Sequence, residues 1–244
     1  MIKYTLLIFA LSISAVGSSL AEKSGDWVET YNGLLGKYST PSGVKYGEWK
    51  KNAADLQALQ GVVDAVASAN ISSLGKQEQL AFYVNAYNAW ILHEANGKYP
   101  TTSVKDLAFT FFTGKRIKVA GEQTSFNSLE KGVIRSKFSD PRVHFALNCA
   151  SRSCPPLNAE AFRADRLDAQ FEKLAKGFVN SPKAVAFTAG SKSAELSKIF
   201  DWYKDDFKAE GGPIAFINKR HSAPIPADAK ISYQSYDWSL NEAK

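Results

Sequence analysis

LAFYVNAYNAWIL, residues Leu80–Leu92, is the stretch whose reading sets the architecture, because only Asn85 and Asn88 in it are fully polar. Leu80, Tyr83, Val84, Tyr87, Trp90 and Ile91 recur at helical spacing, while Phe82, Ala86 and Ala89 make the opposite side apolar too. A helix that is apolar all round is covered by its neighbours, so the pattern predicts a buried central helix. Asn85 and Asn88 must then find partners inside the protein, since an unpaired buried amide costs about 1–3 kcal/mol. Two roles are open to them: tying neighbouring loops to the core, or reaching a ligand.

Working outward, Trp27, Tyr31 and Leu34-Leu35 suggest a short first helix, and Leu56, Leu59, Val62-Val63 and Val66 a second one ending before Asn70. Beyond Tyr99-Pro100, residues 104–112 read as helical or irregular, and residues 116–126 as a hairpin turning at Ala120-Gly121. Asn127 followed by Glu130 reads as a capping box opening a helix to Lys137. Residues 143–149 read as a strand, 167–178 as a helix, and 184–200 as holding a second hairpin around Gly190-Ser191. Short helices are expected over 201–208 and 213–219, and a last strand over 230–238. Together these give an α+β fold: a largely helical single domain over 22–244, its buried central helix packed on a small, mostly antiparallel sheet.

The ends and composition limit the function classes. Met1–Ala21 reads MIKYTLLIFALSISAVGSSLA, with Lys3 before an apolar run and small residues at the end, the pattern of a secretory signal cut before Glu22. A periplasmic or secreted location is therefore expected. No second apolar stretch reaches spanning length, so no membrane span is expected. The formal net charge is +6, spread along the chain without a basic, aromatic-interleaved groove, which argues against nucleic acid as a partner. Neither a metal nor a cofactor is indicated.

The candidate site is RVHFALNCASRSCPP, Arg142 to Pro156. Read as a strand, it sends Val143, Phe145, Leu147 and Cys149 to one face and Arg142, His144, Ala146 and Asn148 to the other. That parity separates His144 from Cys149. Cys154 is freer, since the loop Ala150, Ser151, Arg152, Ser153 can fold it back towards His144 and Asn148, with loop amides available to receive an anion. In an exported protein the same two cysteines can instead form a Cys149–Cys154 disulfide. Glu130 is first a capping residue and second a partner for His144 or Arg152. With two cysteines in one loop and no other histidine nearby, a zinc site is not expected.

The segments LAFYVNAYNAWILHEA, SLEKGVIR, DPRVHFALNCASRSCPPL, LSKIFDWYKDDF and YDWSLN occur in the order seen in the domain of unknown function 547 family, DUF547, which the chain resembles over about 74–241. The resemblance implies no catalytic residue, because the family's activity is unassigned. It includes eukaryotic intracellular proteins, which implies a loop role independent of a disulfide. Lys131 departs from it, standing where the family often has histidine. The expected shape is also loosely similar to papain and transglutaminase, although residues 73–79, where those enzymes carry their nucleophile, hold no cysteine.

Two functions fit. One is a thiol-dependent hydrolase or acyl transferase, with Cys154 as nucleophile, His144 as base, and Asn148 with loop amides holding the oxyanion. The other is a non-catalytic ligand-binding module whose loop is pinned by the disulfide. There Asn85, Asn88, Glu130, Arg142, Ser151, Arg152 and Ser153 contribute to binding, and Tyr83, Tyr87, Trp202 and Trp238 are candidate aromatic surface for a small molecule, sugar or peptide. The sequence sets no oligomeric state.

Overall fold

The computed structural model describes residues 20–107 and 110–244. The expected signal falls outside them, apart from Leu20 and Ala21 at the start of the first helix. The chain runs α1 (Leu20–Tyr38), β1 (Ser39–Thr40), β2 (Gly43–Val44), α2 (Tyr46–Lys50), α3 (Ala53–Ser68) and α4 (Lys76–Lys98). After a 3-10 turn at Val104–Asp106 come β3 (Ile117–Val119), β4 (Glu122–Thr124), a π-helix Ser128–Arg135, α5 (Ser136–Phe138), α6 (Val143–Ala146) and α7 (Leu167–Val179). The remainder is β5 (Val185–Ala186), β6 (Ser193–Leu196), α8 (Lys198–Trp202), a 3-10 turn Lys208–Glu210, α9 (Pro213–Asn218) and β7 (Lys230–Tyr233). The fold is α+β and mostly helical. None of the described helices is long and apolar enough to cross a membrane.

Helix α4 is the expected central helix, buried from Leu80 to Ala89 without a break. Its neighbours are α2, α3, the π-helix and strand β3. The β-structure is divided among three small sheets, antiparallel except where β7 joins β6 in parallel. The β3–β4 hairpin turns at Ala120-Gly121 as expected, with both residues at positive φ, 50° and 86°, as a two-residue turn with right-handed strand twist requires. The amides of that turn donate to Val66 and Ala67, closing the carboxyl end of α3.

Two apolar cores result. The larger gathers α1, α3, α4 and the β3 hairpin. The smaller lies between α7, α8, α9 and β5–β6, around Phe145, Phe178, Phe200, Phe207 and Phe216. Segment 143–147 serves both: Val143, Ala146 and Leu147 enter the first core and Phe145 the second. This corrects the strand expected over 143–149. Residues 143–146 form one helical turn, begun by Asp140, whose carboxylate accepts from the Arg142 amide at 2.9 Å, with Pro141 next. All five residues from Val143 to Leu147 are buried, and a helical turn can send consecutive side chains in several directions where a strand offers two. The capping box at Asn127 is also corrected. Asn127 is itself helical and makes no cap bond; Ser125 takes that place, its hydroxyl accepting from the Ser128 amide.

Both central asparagines tie loops to α4, as the first of their two open roles anticipated. Asn85 clamps Phe162, donating to its carbonyl and accepting from its amide, each at 2.9 Å. Asn88 does the same across Leu147, donating to the Ala146 carbonyl and accepting from the Asn148 amide, again at 2.9 Å. Replacing Asn85 with Ala strands both backbone groups of Phe162 in the core, and is expected to destabilise the protein by about 2–4 kcal/mol in urea unfolding at pH 7. A loss below about 1 kcal/mol would show that the clamp is not what holds this loop.

Candidate functional site

Beyond α6 the chain becomes extended at Leu147 and turns at Ala150, a buried residue at φ 60°. A non-glycine residue there costs on the order of 1 kcal/mol and is kept only where its surroundings enforce it. Here they do. Asn148 Oδ1 accepts from the Ala150 amide at 2.9 Å and from Asn241 at 3.2 Å, and its Nδ2 donates to the Pro155 carbonyl at 2.8 Å. The carboxyl-terminal segment runs alongside: Asn241 donates to the Ala150 carbonyl, Arg152 to Ser239, and Ser153 to Asp237.

The turn presents the sulfur of Cys149 to hydroxyl groups. The Ser151 hydroxyl lies 3.0 Å from it and the Tyr236 hydroxyl 3.3 Å, while Ser151 also donates to Tyr236 at 3.2 Å. Burial pushes the Cys149 thiol up. Hydrogen bonds from Cys154, Ser151, Tyr236 and the Ser151 backbone more than reverse this, and bring it down to about 7. Cys154 behaves oppositely. It is buried, accepts from the Cys149 amide at 2.9 Å, and is pushed well above the usual thiol value by burial and by the neighbouring sulfur. Both cysteines are free thiols in the structure. Cys149 is half-buried, so it is the more accessible as well as the more acidic of the two.

The residues expected to accompany Cys154 go elsewhere. His144 is buried with its Nε2 2.7 Å from Asp206, and its ring stacks on Tyr203 at 3.8 Å between centroids. No hydrogen bond joins it to either cysteine among the described residues. Asn148 spends its side chain on the turn, and the amides of Ala150, Arg152, Ser153 and Cys154 all have protein acceptors. Of the loop amides that leaves the one of Ser151, which faces the Cys149 sulfur together with the Tyr236 hydroxyl. Arg142 is held by Asp140 and Asp168, each at 2.8 Å, and the Ser153 hydroxyl accepts from the Asp237 amide. Arg152 reaches the Glu242 carbonyl at 3.4 Å. Of the aromatic candidates, Tyr83 and Tyr87 are core residues, while Trp202 is 47% exposed and half-buried Trp238 stacks with it.

Three participants were not read from the sequence. Tyr236 lies 87 residues from Cys149, and Asp206 lies 62 residues from His144, too far apart for spacing to pair them. Tyr203 stacks on the histidine, its hydroxyl pushed up by burial and then by the charge of Glu130 and a hydrogen bond to it. A signal was present at Tyr236-Asp237-Trp238, where aromatic and acidic side chains crowd near the chain's end.

Asp206 anchors this flank. Besides His144 it takes both Nε and Nη2 of Arg135, at 2.6 and 2.8 Å. The His144 hydrogen bond first, and then those from Arg135, hold its carboxyl well below the usual range against the opposing effect of burial. A carboxyl lowered by folding stabilises the protein above its unfolded value near 4, and that contribution is lost as pH falls further towards the folded value. Asp206→Asn is accordingly expected to cost about 1–3 kcal/mol at pH 7. The gap from wild type should shrink in unfolding curves taken below about pH 4. A gap that stays constant down to pH 3 would rule out ionisation of Asp206 as its source.

Among the described residues, no three His, Cys, Asp or Glu side chains are grouped to hold a metal ion. No curated protein and no solved structure matches the chain, so the loose likeness to papain and transglutaminase finds no support. Residues 71–179 match the family model described as "Protein of unknown function, DUF547", and this segment carries α4, the π-helix, α6 and both cysteines. Over that segment the chain is similar to the DUF547 family, as the order of its motifs implied.

Proposed function

We propose that this protein is a thiol-dependent hydrolase or acyl transferase in which Cys149, rather than Cys154, is the nucleophile. The observation that supports it is half-buried Cys149, with its sulfur within reach of the Ser151 and Tyr236 hydroxyls. A thiolate at neutral pH attacks an acyl carbon without needing a base beside it, and so the pairing of His144 with Asp206 is no obstacle. As the sulfur–carbon bond forms, charge leaves the sulfur and develops on the acyl oxygen. The Tyr236 hydroxyl and the Ser151 amide that faced the sulfur are then free to turn to that oxyanion.

The pH profile of Cys149 alkylation tests this directly. Wild-type protein is expected to react with a midpoint near pH 7, against about 8.5 for an ordinary thiol. Tyr236→Phe removes one donor and should raise that midpoint by about one unit. On an activated acyl ester, Cys149→Ser should lower turnover by about 10³-fold or more while Cys154→Ser retains it. Equal activity in Cys149→Ser would sink the assignment.

A second reading has one observation in its favour. Trp202, Tyr236 and Trp238 form an aromatic shelf beside the thiol, with centroids 4.7–6.1 Å apart. Aromatic faces of this kind hold sugars and apolar groups, so the loop would serve recognition alone. Cys149 that resists alkylation until reductant is added, as in a Cys149–Cys154 disulfide, would favour this binding module. In both readings the protein works outside the cytoplasm, in keeping with the signal pattern of Met1–Ala21. Amino-terminal sequencing of periplasmic material should then begin at Glu22; protein that retains Met1 and stays in the cytosol would refute export.

A further inference from the structure

Among the described residues Trp202 is the most exposed large apolar side chain, at 47%. A single exposed tryptophan needs no explanation, but this one belongs to a group. It ends α8 and lies against Tyr236, 4.8 Å away between centroids, and Trp238, 6.1 Å away with its plane tilted by only 29°. Tyr236 and Trp238 themselves meet at 4.7 Å, and both are half-buried. The three rings therefore form one shelf, open to solvent at Trp202 and partly so at the other two. Its mounting is rigid. The Trp238 carbonyl accepts from the Val104 amide at 3.0 Å and from the Ser103 hydroxyl at 2.9 Å, while the Asp237 carbonyl accepts from the Ser153 amide of the cysteine loop. A surface already held in place loses little freedom when a ligand settles on it.

Tyr236 joins the shelf to the thiol. Its ring is part of the shelf, and its hydroxyl lies 3.3 Å from the Cys149 sulfur. A ligand lying on the rings thus carries its substituents to within the length of a tyrosine side chain of that sulfur. Shape and surroundings select the ligand class. A wholly apolar group gains most from a concave pocket that encloses roughly 70–90% of its surface, whereas the shelf covers one face. Exposed Lys105 and Asp237 border it, with Lys105 Nζ 5.7 Å from the Trp238 centroid. That contact shows the indole face drawing positive charge, as its quadrupole requires. A sugar ring has a face of weakly positive C–H hydrogens and a rim of hydroxyls that stay with water or charged side chains. It matches a one-sided aromatic shelf with a polar border, and an alkyl chain does not.

We infer that Trp202, Tyr236 and Trp238 form a carbohydrate subsite that presents O-acylated sugars to Cys149. The binding of sugar rests on the shelf alone, and the acylated substrate rests on Cys149 as nucleophile. The thiolate bonds to the acyl carbon, the carbon–oxygen bond to the sugar breaks, and the sugar oxygen takes a proton from water, leaving hydroxide. Hydroxide then adds to the acyl carbon of the thioester. The carbon–sulfur bond breaks, its electron pair returns to the sulfur, and the free acid departs.

The test uses the full chain, with cellohexaose, maltohexaose and chitohexaose as probes in titration calorimetry. At least one is expected to bind, and Trp202→Ala to weaken it by about 10-fold, while Trp202→Phe keeps an aromatic face and recovers most of the affinity. In wild type the bound sugar should protect Trp202 from oxidation by N-bromosuccinimide, as read by peptide mass, a measurement that needs no variant to fold. Partly O-acetylated forms of the sugar that binds should release acetate, and Trp202→Ala should raise their KM by about 10-fold with kcat within about 3-fold. No binding by any of the three sugars, an affinity unchanged in Trp202→Ala, or an unprotected Trp202 overturns the subsite. Acetyl groups left on a bound sugar while p-nitrophenyl acetate is turned over overturn the acylated sugar as substrate. If neither ester is turned over, Cys149 as nucleophile is overturned and the sugar subsite stands.

Discussion

The side-chain amide of Asn88 couples the centre of the protein to the loop that carries both cysteines. It projects from the buried helix α4 and makes, with one donor and one acceptor, the two backbone bonds that a neighbouring strand would have made to the segment around Leu147. No strand is available there, because α4 is surrounded mostly by helices. An asparagine is the smallest side chain that imitates a peptide group with both functions, so α4 can be apolar all round and still fix a polar loop. Asn85 repeats the device one helical turn earlier, on Phe162.

From that anchor the site is assembled in sequence. Asn88 sets Asn148, Asn148 holds Ala150 in its left-handed turn, and the turn delivers Cys149 to Ser151 and Tyr236. The carboxyl-terminal segment closes the arrangement from outside, with Asn241 bonded both to Ala150 and to Asn148. The two sulfurs lie in one loop and differ in kind because of where the donors are. Cys149 is the one that collects hydroxyls and Cys154 the buried one, bonded to the Cys149 amide and the Leu147 carbonyl, so proximity widens the difference between them.

The opposite flank follows a different rule. Burying the His144 ring against Tyr203 and Phe207 would strand a polar nitrogen, and Asp206 prevents this while Arg135 balances its charge. A buried pair of this kind is weak support for stability as such, but it sets geometry firmly. Here it fixes Tyr203 and the π-helix, and with them Glu130.

The sequence by itself determined the central helix, the hairpin at Ala120-Gly121, and the need for Asn85 and Asn88 to find partners inside the protein. Each depends on periodicity, turn chemistry or satisfaction of buried amides, which act over a few residues. The strand expected over 143–149 failed because a run of apolar residues serving two cores looks the same, in one dimension, as a strand buried on one face. Asp140-Pro141 was the local sign of a helix start that outweighed it. Only the tertiary structure decided which sulfur has hydroxyl groups beside it, since that depends on Tyr236 arriving from the far end of the chain. It likewise decided that His144 belongs to Asp206. Hydrogen-bond donors separated by 60 to 90 residues leave no spacing to read, and a thiol's acidity is set by what surrounds it in space.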